Sequence, residues 1–178
     1  MQKTFVLTLT GPDRIGFVEE VTGLVLQQGG NVETSRMARL GGEFAILMLV
    51  ALPAGQFAEL EHDLGKLASR GYKVTTTPVE QTYAEAHPGW LPYRLEVHGA
   101  DHEGIIHEVA HYLSEQGINI EGIDSECIPA PTSGIPLFSM TARVVVPPSL
   151  TGRGWAAGLE EIGERMNLDV QVTALREP

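Results

Sequence analysis

Gly11-Pro12-Asp13-Arg14-Ile15-Gly16-Phe17-Val18-Glu19-Glu20-Val21, running on to Gln28-Gly29-Gly30-Asn31-Val32-Glu33, has a second copy in the same chain. Shifted by 99 − 11 = 88 positions, it aligns without a gap on Gly99-Ala100-Asp101-His102-Glu103-Gly104-Ile105-Ile106-His107-Glu108-Val109 through Gln116-Gly117-Ile118-Asn119-Ile120-Glu121. Nine pairs are identical: Gly11/Gly99, Asp13/Asp101, Gly16/Gly104, Glu20/Glu108, Val21/Val109, Gln28/Gln116, Gly29/Gly117, Asn31/Asn119 and Glu33/Glu121. The match runs outward as pattern. Phe5, Leu7 and Leu9 fall on Tyr93, Leu95 and Val97. With small insertions in the second copy, Phe44 falls on Phe138 and Tyr72 on Leu168. The larger insertion lies before Ile135 and contains Pro129-Ala130-Pro131-Thr132-Ser133-Gly134. A repeat of this length makes the chain two copies of one module.

Each copy predicts β-α-β-β-α-β. Phe5, Leu7 and Leu9 alternate with Val6 and Thr8, the period of a half-buried strand. Gly11-Pro12-Asp13 is turn chemistry, with Asp13 expected as the helix N-cap. Phe17, Val18, Val21, Leu24 and Val25 then share one helical face, and Gly29-Gly30 ends the helix. Val32–Leu40 and Phe44–Leu52 read as strands turned at Gly41-Gly42. Phe57, Leu60, Leu64 and Leu67 mark a second helix, and Tyr72–Val79 a last strand. Ile105, Ile106, Val109, Tyr112 and Leu113, then Trp155, Leu159, Ile162 and Met166, repeat the two helices. The expected fold is α+β: two ferredoxin-like modules in tandem, each an antiparallel sheet with both helices on one face. Expected domains are 1–80 and 92–178, joined by a linker over 81–91. Open sheet edges invite pairing, so a homodimer is expected.

Composition narrows the function. The chain has 178 residues, 12 Lys+Arg and 23 Asp+Glu, so its formal charge is 12 − 23 = −11. Phosphate binding needs clustered cations, so direct nucleic-acid contact is not expected, nor is docking on an anionic membrane. The longest apolar run, Phe44 to Leu52, is about half of what a bilayer span needs. A cytoplasmic protein is expected. Cys127 is the single cysteine, so it has no intramolecular disulfide partner.

Three constellations carry chemistry. Gly11, Asp13 and Gly16 recur as Gly99, Asp101 and Gly104 in the loop before the first helix of each copy, where free N–H groups favour an anion. Asn31 and Asn119 open the following strand, and an Asn amide can accept from an ammonium and donate to a carboxylate. Together they suit a free amino acid. The same residues could serve only to shape the turn and cap the helix. Secondly, His107-Glu108-Val109-Ala110-His111 matches the zinc-protease pattern H-E-x-x-H. The apolar residues of its helix, however, place both His on the solvent side, so no catalytic metal site is expected, with adventitious Ni²⁺ or Zn²⁺ binding by the pair left open. Thirdly, Cys127 shares a module with His98 and His102, but a nucleophile needs an orienting group as well as a base. A surface strand cysteine is expected, with no catalytic residue and no cofactor.

The segment Leu9 to Val18, with Gly30-Asn31-Val32-Glu33, resembles the opening of an ACT domain. The tandem arrangement, with Gly117 to Glu121, the proline-rich insertion and Thr141-Ala142-Arg143-Val144, is similar to the ACT family of repressors that control glycine cleavage. The resemblance implies a non-enzymatic regulator that senses a small amino acid, glycine or serine, and binds a protein partner such as a transcriptional activator. It implies ligand contacts from Gly11, Asp13, Arg14, Gly16 and Asn31, and from Asp101, Gly104 and Asn119. The second copy departs from the pattern, with His102-Glu103 where Arg14-Ile15 stands; Glu103 would weaken carboxylate binding there. Alternatives are a ligand-independent interaction module and a detached regulatory subunit of an amino-acid or folate enzyme.

Overall fold

The computed structural model describes residues 2–81, 83–131, 134–152 and 154–175. Thr82 of the expected linker and Thr132 and Ser133 of the insertion lie outside the described residues. The chain divides into two compact units, Met1–Thr82 and Tyr83–Pro178.

The first unit runs β1 (Gln2–Pro12), α1 (Phe17–Gln27), β2 (Asn31–Leu40), β3 (Glu43–Pro53), α2 (Phe57–Ala68) and β4 (Lys73–Pro78). Its sheet has the order β2-β3-β1-β4, and every pairing is antiparallel. The alternation in β1 sends Phe5, Leu7 and Leu9 to one face, opposite Val50, Met48 and Ile46 of β3. These six are at most 1% exposed and meet Phe17, Val21 and Val25 of α1 and Leu60, Leu64 and Leu67 of α2. Removing each such side chain from water contributes about 1.5–3 kcal/mol, which is what holds both helices on this face.

The second unit repeats the plan after a short helix, α3 (Tyr83–Ala86), whose Tyr83 stacks on His87. Then come β5 (Leu91–Ala100), α4 (Ile105–Glu115), β6 (Asn119–Pro129), β7 (Pro136–Val146), α5 (Trp155–Met166) and β8 (Leu168–Ala174), in sheet order β6-β7-β5-β8. Leu95, Val97, Met140, Val144, Val109, Leu113, Leu159 and Trp155 form its core. The two units are therefore α+β plaits with matching topology, as the repeat predicts.

Two local features differ from the expectation. Asp13 is not the N-cap of α1. That position is Gly16, at φ 80°, and no side chain caps the helix; Gly104 holds the same place in α4, at φ 93°. Both glycines sit in the left-handed region that other residues enter only at a cost. In addition, β2 slips register between Val32 and Thr34, and β6 between Ile120 and Gly122. The skipped residues, Glu33 and Glu121, are an identical pair of the repeat. A bulge absorbs one residue without a partner, so this pair marks a backbone irregularity common to both modules.

Candidate ligand-binding loops

The loop from β1 to α1 is built on a close approach. Gly11 sits under the ring of Tyr72, and a Cβ there would collide with that ring. Gly99 sits in the same way under Leu168, whose Cδ2 would lie 2.6 Å from a Cβ. The shared glycine thus makes room for the residue at the start of each module's last strand, Tyr72 just before β4 and Leu168 opening β8. Asp13 and Asp101 then hold the loop by their backbone: Asp13 N–H donates to Gly42 O at 3.0 Å, and Asp101 N–H to Pro136 O at 2.9 Å. The Asp13 carboxylate faces Arg39 Nη1 at 3.6 Å.

Arg14 lies inside a network that the repeat pattern does not reveal. Its Nε donates to Tyr72 Oη at 3.1 Å, and Tyr72 Oη donates to Pro12 O at 3.0 Å. Its Nη2 pairs with Glu20 Oε2. The other oxygen of Glu20 accepts from Arg70 Nη1 at 2.5 Å. Phe17 stacks on Tyr72 with ring centroids 4.3 Å apart, and the guanidinium carbon lies 5.4 Å from the Phe17 ring. Arg14 is therefore engaged as an intramolecular tie between loop, helix and sheet. Next to it Ile15 is fully exposed at the loop tip.

The second loop lacks this network. His102 stands where Arg14 stands, with Nε2 3.1 Å from Met166 O and Nδ1 3.1 Å from Glu103 O. Both partners only accept, so a neutral ring serves one at a time. Glu108 does keep the role of Glu20 toward the second helix, accepting from Arg165 Nη2 at 2.7 Å. Sequence reasoning did not name Tyr72, Glu20, Arg70 or Arg165 as parts of the site. The one available signal was the identity of Glu20 and Glu108 in the repeat.

Asn31 and Asn119 are not brought to these loops within their own modules. Asn31 pairs with Ala51, and Ala51 with Thr4, whereas Gly11 pairs with Phe44. The two sites are 11 − 4 = 7 residues apart along β1, roughly 23 Å at about 3.3 Å per residue. Asn119 is equally remote, since it pairs with Val145, which pairs with Pro92, seven residues from Gly99. Nearer the first loop, a groove of about 480 Å³ opens on the sheet, lined among others by Gly11, Thr10, Leu40, Glu43 and Lys73. Of the predicted contacts only Gly11 borders it.

The remaining constellations are disarmed by placement. His107 and His111 are exposed, as the apolar spacing of α4 predicts, and Glu108 between them is tied to Arg165. Cys127 is exposed on β6 and pairs with Phe138, while His98 pairs with Ser139, so thiol and imidazole lie on opposite faces of the sheet. Desolvation at the sheet surface, and then the hydrogen bond and charge of Asp101, push the Cys127 thiol up from its ordinary value. A nucleophile needs the opposite shift. Among the described residues, no helix is long and apolar enough to cross a membrane.

The model of the ACT domain matches residues 3–72. A crystal structure of a protein of unknown function from Galdieria sulphuraria covers 99% of this chain and 100% of its own, with 32% identity and a TM-score of 0.85. The first plait belongs to the ACT-domain family. The second repeats its topology. Over 50 residues the chain is 44% identical to the glycine cleavage system transcriptional repressor of Escherichia coli (strain K12), with the same figures for that of Shigella flexneri. The match spans 28% of this chain and only about a quarter, 26%, of those curated relatives. A structure provisionally named a glycine cleavage system transcriptional repressor shares the fold over 99% of both chains, at TM-score 0.69 and 18% identity.

Proposed function

We propose that this protein is a tandem ACT, non-enzymatic, amino-acid-responsive regulator that acts by binding another regulatory protein, with glycine or serine as ligand and a transcriptional activator as partner. The observation that carries the reading is the architecture itself: two complete plaits of one topology, the first an ACT domain, with the segment similar to a glycine cleavage repressor. The first β1–α1 loop supports it, because Gly16 turns the chain so that α1 starts without a capping side chain. Helix-start N–H groups left in this way suit a carboxylate. Because Arg14 is held by Glu20 and Tyr72, the anion is received by backbone N–H groups around Arg14 to Gly16, with Asp13 or Asn31 taking the ammonium. Asn31 reaches that ligand only from a second copy of the chain, which makes a homodimer part of the reading. The second loop binds more weakly, since Glu103 brings negative charge beside it.

Regulation then follows from linkage. A ligand that prefers one arrangement of modules shifts the protein toward it, and the partner senses the shift to the extent of that preference. The test is calorimetric titration of the full chain with glycine and with serine. Saturable binding, weakened roughly tenfold or more (about 1.4 kcal/mol or more) in Asp13→Ala and in Asn31→Ala, is expected. Binding unchanged in both variants would overturn the site. An absence of heat with every amino acid would overturn the sensor and leave a ligand-independent interaction module.

A further inference from the structure

The H-E-x-x-H stretch is not used by the reading above, yet the structure leaves its two imidazoles together. His107 and His111 are one turn apart on the solvent face of α4, with ring planes 10° apart and centroids 6.0 Å apart. Val109 and Leu113, on the opposite side of the helix, are at most 2% exposed and hold that face outward. His111 Nε2 is 3.5 Å from Glu115 Oε1 on the next turn. The fold does not require these residues: the matching positions of α1 are Glu19 and Gly23.

We propose that His107 and His111 form a bidentate surface site for a borderline divalent cation, Zn²⁺, Ni²⁺ or Cu²⁺. Two imidazoles at i and i+4 project from one helix face and can ligate one ion, and nitrogen donors suit these metals rather than Mg²⁺ or Ca²⁺. Glu115, with Oε1 3.5 Å from His111 Nε2, orients that ring. Glu108, the residue that would act as base in a hydrolase of this pattern, is held by Arg165 at 2.7 Å. Among the described residues no third His, Cys, Asp or Glu completes a cage. The site is therefore a chelate with its other positions open to solvent, distinct from a catalytic zinc. Affinity follows the Irving–Williams order, strongest for Cu²⁺.

The experiment is titration of the untagged, EDTA-stripped full chain with Ni²⁺ and with Zn²⁺ by calorimetry, beside His107→Asn, His111→Asn and the double variant. One saturable equivalent is expected, with affinity lowered about tenfold or more by either single change, because the second imidazole binds as an intramolecular ligand. Far-UV circular dichroism and thermal unfolding of the metal-free variants should match the parent, since both side chains are exposed. Failure of the parent to bind either ion overturns the site. Equal affinity in the double variant also overturns it and places the metal on another of the six histidines.

Discussion

Gly11 and Gly99 are where a single hydrogen atom decides the packing. A methyl group at Gly11 enters the Tyr72 ring, and one at Gly99 lies 2.6 Å from Leu168 Cδ2 and 3.0 Å from Asn167 O. Gly11→Ala and Gly99→Ala should each lower stability by about 1–3 kcal/mol, the usual range for forcing atoms into a filled core, read as a shift in the urea midpoint at unchanged slope. Cys127 offers a second residue-scale outcome. With its pKa raised, less thiolate is present at neutral pH, so alkylation by iodoacetamide should be slower than for a small free thiol and should recover as pH rises. Asp101→Ala removes the hydrogen bond and charge that hold the proton, so it should speed alkylation at pH 7.5. Unchanged kinetics would mean that desolvation alone sets the shift. Both glycines were legible as shared positions. Their partners were not, because Tyr72 and Leu168 come from the far end of each module.

The helices of the two modules are fastened by the same device at unequal strength. Glu108 has one guanidinium partner, Arg165, and both side chains are well exposed, so this pair contributes under about 1 kcal/mol. Glu20 has two partners, Arg70 and Arg14, and Arg14 is also bonded to Tyr72. Glu20→Ala leaves Arg14, two-thirds covered, without its counter-ion. Its cost should reach about 1–3 kcal/mol, clearly more than that of Glu108→Ala, when both are compared by chemical denaturation. Salt should narrow the gap little, since partly covered pairs are screened less than exposed ones. The elements themselves were readable from the sequence. Period-2 alternation located the strands and 3–4 spacing the helices, because in each case one face is buried and the other wet. The capping residue was misread: Asp is a good N-cap by type, but the chain needs its left-handed turn at Gly16, three residues further on.

At the scale of the molecule, each module has its own hydrophobic cluster. Phe5, Leu7, Met48 and Leu64 belong to the first, and Leu95, Met140, Leu113 and Leu159 to the second. A module of this size has a thin core but a complete one. Residues 1–81 expressed alone should therefore give a far-UV spectrum of mixed helix and sheet and melt cooperatively. A fragment that fails to melt cooperatively would show that the first core depends on the rest of the chain.

The repeat, the alternation and the −11 charge determined by themselves that this chain is two acidic α+β plaits of one design. Those properties are local or additive, so they survive in a string of letters. Tertiary structure decided how the candidate residues are grouped. It drew Arg14 toward Tyr72 and Glu20, left Asn31 seven register positions from the loop, and set Cys127 and His98 on opposite faces. Each outcome depends on strand order and register between segments distant in the chain. Apart from the β2–β3 and β6–β7 hairpins, neighbouring strands in these sheets are not neighbours in sequence, and a shift of one residue exchanges the two faces.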